Sequence, residues 1–335
     1  MTTASVLLTV STTWGANSDI YDKDERVGRS LRNIAAVAAR ELRETPSTRD
    51  QALRIMREWI EQNTDIRNVR TDESFLLRFL RHKKYSIPMA QQTLLKYLSL
   101  RKYYPSVFTK LDSEDPTLSE IISNGYIAVS PVRDNKGRRV IVYNMGKFNA
   151  VKFNCWDMCR AHIIVYEALM EDSNDQIFGF THVGDGSGST TAHVTSWNPI
   201  DFARLLKWGE QSIPMRHKDF QLVNVPAALK YIIDFASSKV SNKMSERLHI
   251  HTNIKNLQSN VDLSCLPTVY GGHIPLQDMI EFTKDLLAEK RKHILALDDM
   301  EILSTKGIVS TRKPGNALKG DAVSVEGSFR KLEID

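Results

Sequence analysis

The stretch SIPMRHKDFQLVNVP, Ser212 to Pro226, sets Arg216, His217 and Lys218 directly before an apolar run, Phe220, Leu222 and Val223, that reads as a buried strand. A second basic pair, Lys243 and Arg247, lies four residues apart, so a helical turn places both on one face. It too precedes a strand-like run, LHIHTN. Each pair alone reads as an ordinary solvated surface. If the two strands are sheet neighbours, their starts share a rim and the four cations converge.

Other residues of reactive type carry less. GDGSGS, Gly184 to Ser189, lacks both the Gly-Lys-Ser/Thr ending of a nucleotide loop and the spacing of a dinucleotide fingerprint, so it reads as a strand-to-helix connection. It contains no G-x-S-x-G, and a hydrolase built on Ser187 or Ser189 with a histidine would lack an elbow and a placed acid. His249 and His251 point to one side of a strand, but two ligands without a third make structural histidines the better reading. Cys155 and Cys159 stand one helical turn apart with no further metal ligands at suitable spacing. With Cys265 they make no disulfide framework, which points to a reducing cytosol. No catalysis, metal or cofactor is expected.

The chain has 335 residues, room for about two domains and a sizeable core. Hydrophobic residues at 41%, charged residues at 25% and a net charge of +5 describe an ordinary soluble protein and do not mark a nucleic-acid binder. No apolar run approaches the roughly 20 residues that span a bilayer. ASVLLTV near the N-terminus is short and lacks a preceding basic flank, so it does not make a secretory signal. Membrane contact, if any, is expected to be peripheral.

The elements that must position the cations fall into two textures. Residues 25–115 read as helical: LRNIAAVAARELRE, TRDQALRIMREWIEQN with Thr48 or Asp50 as cap, TDESFLLRFLRHKKY capped by Thr71 or Asp72, and SIPMAQQTLLKYLSLRKYYP. Beyond them, strands alternate with helices. Two strands flank the turn DNKG; WDMCRAHIIVYEALMED is a helix; QIFGFTHVGDGSG is a strand; NPIDFARLLKWGEQ is a helix; KDFQLVNVP and LHIHTN are strands around the helix PAALKYIIDFASSKVSNKMSER; and PLQDMIEFTKDLLAEKRKHIL closes the domain. Such alternation predicts an α/β domain over 116–295 with a mostly parallel sheet. Residues 1–24 are expected to be flexible, and 296–335 to be a polar tail, either pinned to the body by Phe329 and Leu332 or disordered. In the helix after Pro226, Leu229, Ile232, Ile233, Ala236 and Val240 follow one stripe, widened by Tyr231 and Phe235. That pattern fits a core helix, or a lid over an apolar cavity.

Three patterns give these observations a common frame: SFLLRFLRHKKYSIPMAQQTLLKYLSLRKYYP, IPMRHKDFQLVNVP, and KMSERLHIHTN followed by LSCLPTVYGG. Together the chain resembles the CRAL-TRIO lipid-transfer family from about residue 45 to 295, most of all its α-tocopherol transfer and retinaldehyde-binding branch. LPTVYGG is similar to the family's closing motif. The resemblance implies a helical N-terminal unit and an α/β domain with a hydrophobic cavity behind a mobile helix, here Pro226 to Ser238 with Leu229, Ile232, Ile233, Phe235 and Ala236. It implies a phosphoinositide site at Arg216, Lys218, Lys243 and Arg247, joined by Arg81 of the helical unit. The helix Trp156 to Met170 matches the pocket wall, with Cys159, His162, Ile163 and Tyr166 on one face; Val183, Phe220 and Leu222 are expected on the sheet side. The chain departs from the tocopherol transporters at SGSTTAHV, Ser187 to Val194, leaving a tocopherol-like lipid, retinoid, carotenoid, sterol or phospholipid as cargo. The implied protein is a cytoplasmic carrier that docks reversibly on endosomal or other phosphoinositide-bearing membranes. The rival reading is a phosphoinositide-sensing adaptor that recruits a protein partner without transferring lipid.

Overall fold

A computed structural model describes residues 34–196 and 198–308; the expectations for residues 1–24 and for Phe329 and Leu332 lie outside the described residues. The chain opens with α1 (Ile34–Leu42), α2 (Pro46–Gln62), the short β1 (Ile66–Arg67), α3 (Glu73–His82), α4 (Ile87–Tyr103), α5 (Pro105–Phe108) and α6 (Pro116–Ser123). Then follow β2 (Ile127–Val129), β3 (Arg139–Asn144), α7 (Cys155–Leu169), α8 (Ser173–Phe178), β4 (Phe180–Asp185), α9 (Thr191–Ser196) and α10 (Pro199–Gln211). The last are β5 (His217–Val223), α11 (Ala227–Ser237), α12 (Asn242–Ser245), β6 (Leu248–His251), α13 (Ile254–Gln258), α14 (Leu276–Leu295) and β7 (Glu301–Ile302).

Local chemistry sets most boundaries. Asp72 caps α3 by accepting from the Phe75 amide at 3.0 Å. Asn154 and Asp157 form a reciprocal capping box on α7. The cap of α2 is Thr45, one residue before Pro46, with Thr48 completing the box, rather than Thr48 or Asp50 themselves. The helix expected to run from Pro226 through Arg247 ends at Ser237, and Ser241 caps the separate α12. Gly179, at a positive φ of 84°, ends α8, which occupies Ser173 to Phe178 where part of a strand was expected.

β2 to β6 form one sheet in the order β2-β3-β4-β5-β6, antiparallel only between β2 and β3. One sheet face meets α5, α7, α10 and α11 through Ile127, Val129, Ile141 and Phe180. The other packs on α13, α14 and the 263–274 segment through Ala128, Val140, Val142, Val183 and Val223. In that segment Gly272 lies so close to the Leu266 carbonyl that a Cβ would stand 2.0 Å from its oxygen. The helical unit has its own core, centred on Phe75, Phe79 and Tyr97 in mutual edge-on contact. β7 returns to pair antiparallel with β1, Ile66 opposite Ile302, tying the end of the α/β unit to the helices.

A buried ion network joins the two units. Arg78 of α3 has a fully buried side chain and donates to Glu167 of α7 at 2.8 Å and to Glu171 at 2.6 Å. Tyr97 of α4 donates to the other Glu167 oxygen at 2.7 Å, and Arg70 reaches Glu171 at 2.7 Å. Burial opposes the charge on Glu171, but Arg78 and Arg70 outweigh it and hold the carboxyl below its ordinary range. Arg78→Met, which leaves the buried Glu167 without a cation and Glu171 with Arg70 alone, is expected to lower unfolding stability by about 3–5 kcal/mol. Pairing it with Glu167→Gln should restore part of that loss in urea denaturation.

Candidate functional site: an apolar cavity beside a basic rim

Behind the sheet's α7 face lies a cavity of about 250 Å³. Its floor comes from Tyr143 of β3, Gly184 of β4, Phe220 and Leu222 of β5 and Leu248 of β6. Parallel register sets Tyr143 opposite Gly184, and Gly184 opposite Leu222. Glycine is required there: a Cβ would stand 2.4 Å from the Tyr143 ring and 2.6 Å from Leu222. α7 supplies a wall of Met158, Cys159, His162, Ile163 and Tyr166. The roof is two helices packed together, α11 through Leu229, Ile232 and Ile233, and α10 through Phe202, Leu205, Leu206 and Trp208.

The expected pocket residues thus divide. Cys159, His162, Ile163, Tyr166, Phe220 and Leu222 all line the cavity. Val183 does not: it lies on the opposite sheet face, fully buried among Val142, Val223 and Leu266. Strict alternation along β4 turns His182 and Gly184 to the α7 side and therefore Val183 away from it. Of the gate residues, Leu229, Ile232 and Ile233 face the cavity, whereas Ala236 is buried outside its lining and Phe235, half-buried, lies under the Lys239 ammonium at 5.0 Å.

A bulge in β5 explains the basic cluster. Phe180 pairs with His217 and Thr181 with Asp219, so Lys218 is an extra residue on β5. The insertion gives His217 the same face as Phe220 and Leu222, in the cavity, and leaves Arg216 and Lys218 on the rim. His217 Nδ1 lies 2.8 Å from His182 Nε2, and the His182 ring stacks on Phe220 with 4.5 Å between centroids. Burial, reinforced by the charge of Arg247, pushes the His217 pKa down to about 3, and burial alone takes His162 to about 4. Both line the cavity as neutral rings.

β5 and β6 are neighbours, Phe220 opposite Leu248, and Arg216, Lys218, Lys243 and Arg247 do converge at their starts. Lys243 feels the charges of Arg247 and Arg216, and Lys218 that of Arg216; burial comes first and these repulsions add to it in depressing both lysines. Lys83 and Lys84 from the end of α3, and Arg138, extend the same field. The rim carries its own counter-ion. Glu41 of α1 bridges Arg216 at 3.0 Å and Lys218 at 2.8 Å. Burial opposes the Glu41 charge, yet these two cations outweigh it and lower its pKa. Arg216 also donates to the Ile177 carbonyl, and Arg247 to the carbonyl of His217. Arg81, expected on this surface, is buried instead: Glu44 holds it at 2.7 and 2.9 Å, with Ser173 and Gln176 taking its remaining donors.

The Gly-rich turn has a structural occupation. Asp185 accepts from Ser187 Oγ at 2.7 Å, the Ser187 amide at 2.8 Å and Asn224 at 3.0 Å, and Asn144 links it to the Tyr270 hydroxyl. The ends of β3, β4 and β5 and the LPTVYGG segment meet on this carboxylate. The Ser189 hydroxyl donates to the Gly186 carbonyl. His251 pairs with Gln221 and His249 with Asp219, as structural histidines do. Cys155, Cys159 and Cys265 are buried and stand outside any disulfide, and the Cys265 thiol donates to the Asp262 carbonyl. Among the described residues no cluster of metal-ligating side chains occurs, and no helix is long and apolar enough to cross a membrane.

Comparison with known proteins gives this geometry a family. Residues 123–272 match the profile of the CRAL/TRIO domain, and residues 45–118 that of a Pinta-like UBA domain. Clavesin-1 of Xenopus laevis is 28% identical over 74% of this chain and 75% of its own length. Human clavesin-2 is 26% identical over 74% and 76%. Human alpha-tocopherol transfer protein-like is 25% identical over 77% and 75%. Among solved structures, that of Sfh5 is similar at a TM-score of 0.44 and 12% identity, over 84% of this chain and 99% of that one. A helical unit before a five-stranded, mostly parallel sheet agrees with the two profile matches. Residues 123–272 are thus a CRAL/TRIO domain, of a family whose members bind and transfer hydrophobic ligands.

Proposed function

We propose that this protein carries one lipid-sized apolar molecule in the cavity and exchanges it at membranes that bear phosphoinositides. The observation that carries the reading is the juxtaposition across β5: His217 faces the cavity while Arg216 and Lys218, its chain neighbours, stand on the basic rim. A cavity of about 250 Å³ lies near the lower end of ligand pockets, which favours a single isoprenoid or sterol-sized guest over a two-chain phospholipid. Burying its hydrocarbon supplies most of the affinity, roughly 0.8 kcal/mol per methylene.

Release requires the roof to move. α10 and α11 turn Ile200 and Tyr231 outward, 58% and 68% exposed, and these side chains suit contact with the interface of a bilayer. The cations supply the address. An inositol phosphate offers several charged oxygens to Arg216, Lys218, Lys243 and Arg247, and each cation at an anionic leaflet is worth on the order of 1 kcal/mol. In the closed protein Glu41 already occupies Arg216 and Lys218. A headgroup therefore has to displace this carboxylate, which ties docking to release of α1 from the rim.

Two measurements check the reading. In co-sedimentation with phosphatidylcholine vesicles containing a phosphatidylinositol bisphosphate, Arg247→Ala should weaken binding about fivefold, and Glu41→Gln should strengthen it by a similar factor. Unchanged binding in both variants contradicts the role given to the rim. In a fluorescent lipid-transfer assay between vesicles, Ile200→Ser with Tyr231→Ser should slow transfer several-fold while leaving the amount of lipid held at equilibrium unchanged.

A further inference from the structure

The polar groups of the cavity narrow the chemistry of the guest, an inference that rests on the carrier reading above. His162 stands between two phenols, with Tyr126 Oη 2.8 Å from Nε2 and Tyr166 Oη 3.1 Å from Nδ1. A neutral imidazole offers one N–H and one lone pair. One phenol therefore donates to His162, and the other accepts from it and keeps its own hydroxyl proton uncommitted. Tyr143, edge-on to His162 at 5.3 Å between centroids, has a hydroxyl with no hydrogen bond to any other described residue. Tyr126, Tyr143, His162 and Tyr166 all line the cavity, so two phenolic protons are free to meet an oxygen there. A guest oxygen in the cavity could accept from both.

The same wall is hostile to an anion. Among the described residues that line the cavity there is no lysine or arginine, and the one acidic residue is Asp185, whose carboxylate is taken up by Ser187, Asn224 and Asn144. His162 and His217 carry no positive charge near neutral pH, for burial holds them near pKa 4 and 3. We propose that the cavity takes a lipid whose polar end is a neutral oxygen, an alcohol or a carbonyl, seated against Tyr143 and the Tyr126–His162–Tyr166 chain, and refuses the matching carboxylate. A carboxylic acid of ordinary pKa, about 4.3, is neutral in only about one molecule per thousand at pH 7.4. Entering as the anion instead means burying an unpaired charge. A site built to hydrogen-bond an oxygen also discriminates against a guest that lacks one.

The test uses the delipidated full chain at pH 7.4 and the fluorescence of Trp208, which lines the cavity. Retinol, retinaldehyde and retinoic acid present three heads on one skeleton; hexadecan-1-ol and hexadecanoic acid present two on another. In whichever skeleton fits, the alcohol and the aldehyde should bind about 100-fold more tightly than the acid, or better. Tyr143→Phe and Tyr166→Phe, which keep the rings, should each lower affinity for the alcohol about tenfold and leave the weak binding of the acid unmoved. An acid that binds as tightly as its alcohol overturns this proposal and leaves the carrier reading in place. Failure of all five probes to bind removes the carrier reading and this proposal with it.

Discussion

The insertion of Lys218 into β5 is the constraint on which the rest of this molecule turns. A regular strand would place His217 on the face opposite Phe220 and Leu222, since side chains alternate. With one extra residue opposite the Phe180–Thr181 step, His217 joins them in the cavity, and Arg216 and Lys218 remain at the rim. Two environments of opposite character thus adjoin along three consecutive residues. One is apolar, with neutral imidazoles; the other gathers cations against Glu41. A parallel sheet suits this arrangement because the starts of β5 and β6 lie side by side, so cations distant in sequence share one edge.

A cavity also needs walls that stand without a filling. Here the fixed parts are held from outside it. The Arg78, Glu167 and Glu171 network braces the back of α7 against the helical unit, so the wall bearing His162 and Tyr166 does not depend on a guest for its position. At the other end of the sheet, Asp185 gathers Ser187, Asn224, Asn144 and Tyr270. The roof is different. α10 and α11 pack on each other, and α11 has no side-chain cap at its N-terminus, where Pro226 precedes it. α10 is held besides by Trp208 against Tyr104 and Phe108, which leaves α11 as the part of the roof that the proposed loading and unloading would move.

Much of this was legible in the chain. The period of Cys159, His162, Ile163 and Tyr166 marks one helix face, and that face lines the cavity. Alternation of strands and helices marks the parallel sheet. What stayed hidden depends on partners that periodicity does not reveal. The Lys218 bulge exists only relative to β4, and the face that Val183 takes follows from its register opposite Val142 and Gln221 rather than beside Phe220 and Leu222. α10 shows its amphipathic stripe, but nothing local says that Phe202, Leu205 and Trp208 turn toward the same cavity as α11. Glu41 meets Arg216 across 175 positions of sequence, and Arg81 is neutralised by Glu44, which sits before the helical pattern that drew attention to it. Charge is visible in a sequence; its counter-ion is a property of the fold.

Native mass spectrometry of the protein purified gently from its own cells addresses the central claim most directly. The account predicts a folded species heavier than the chain by the mass of one small lipid, which is lost on denaturation and recovered in organic extract at a ratio of about one to one. A folded chain of bare mass under the same conditions, with no lipid in the extract, would contradict it.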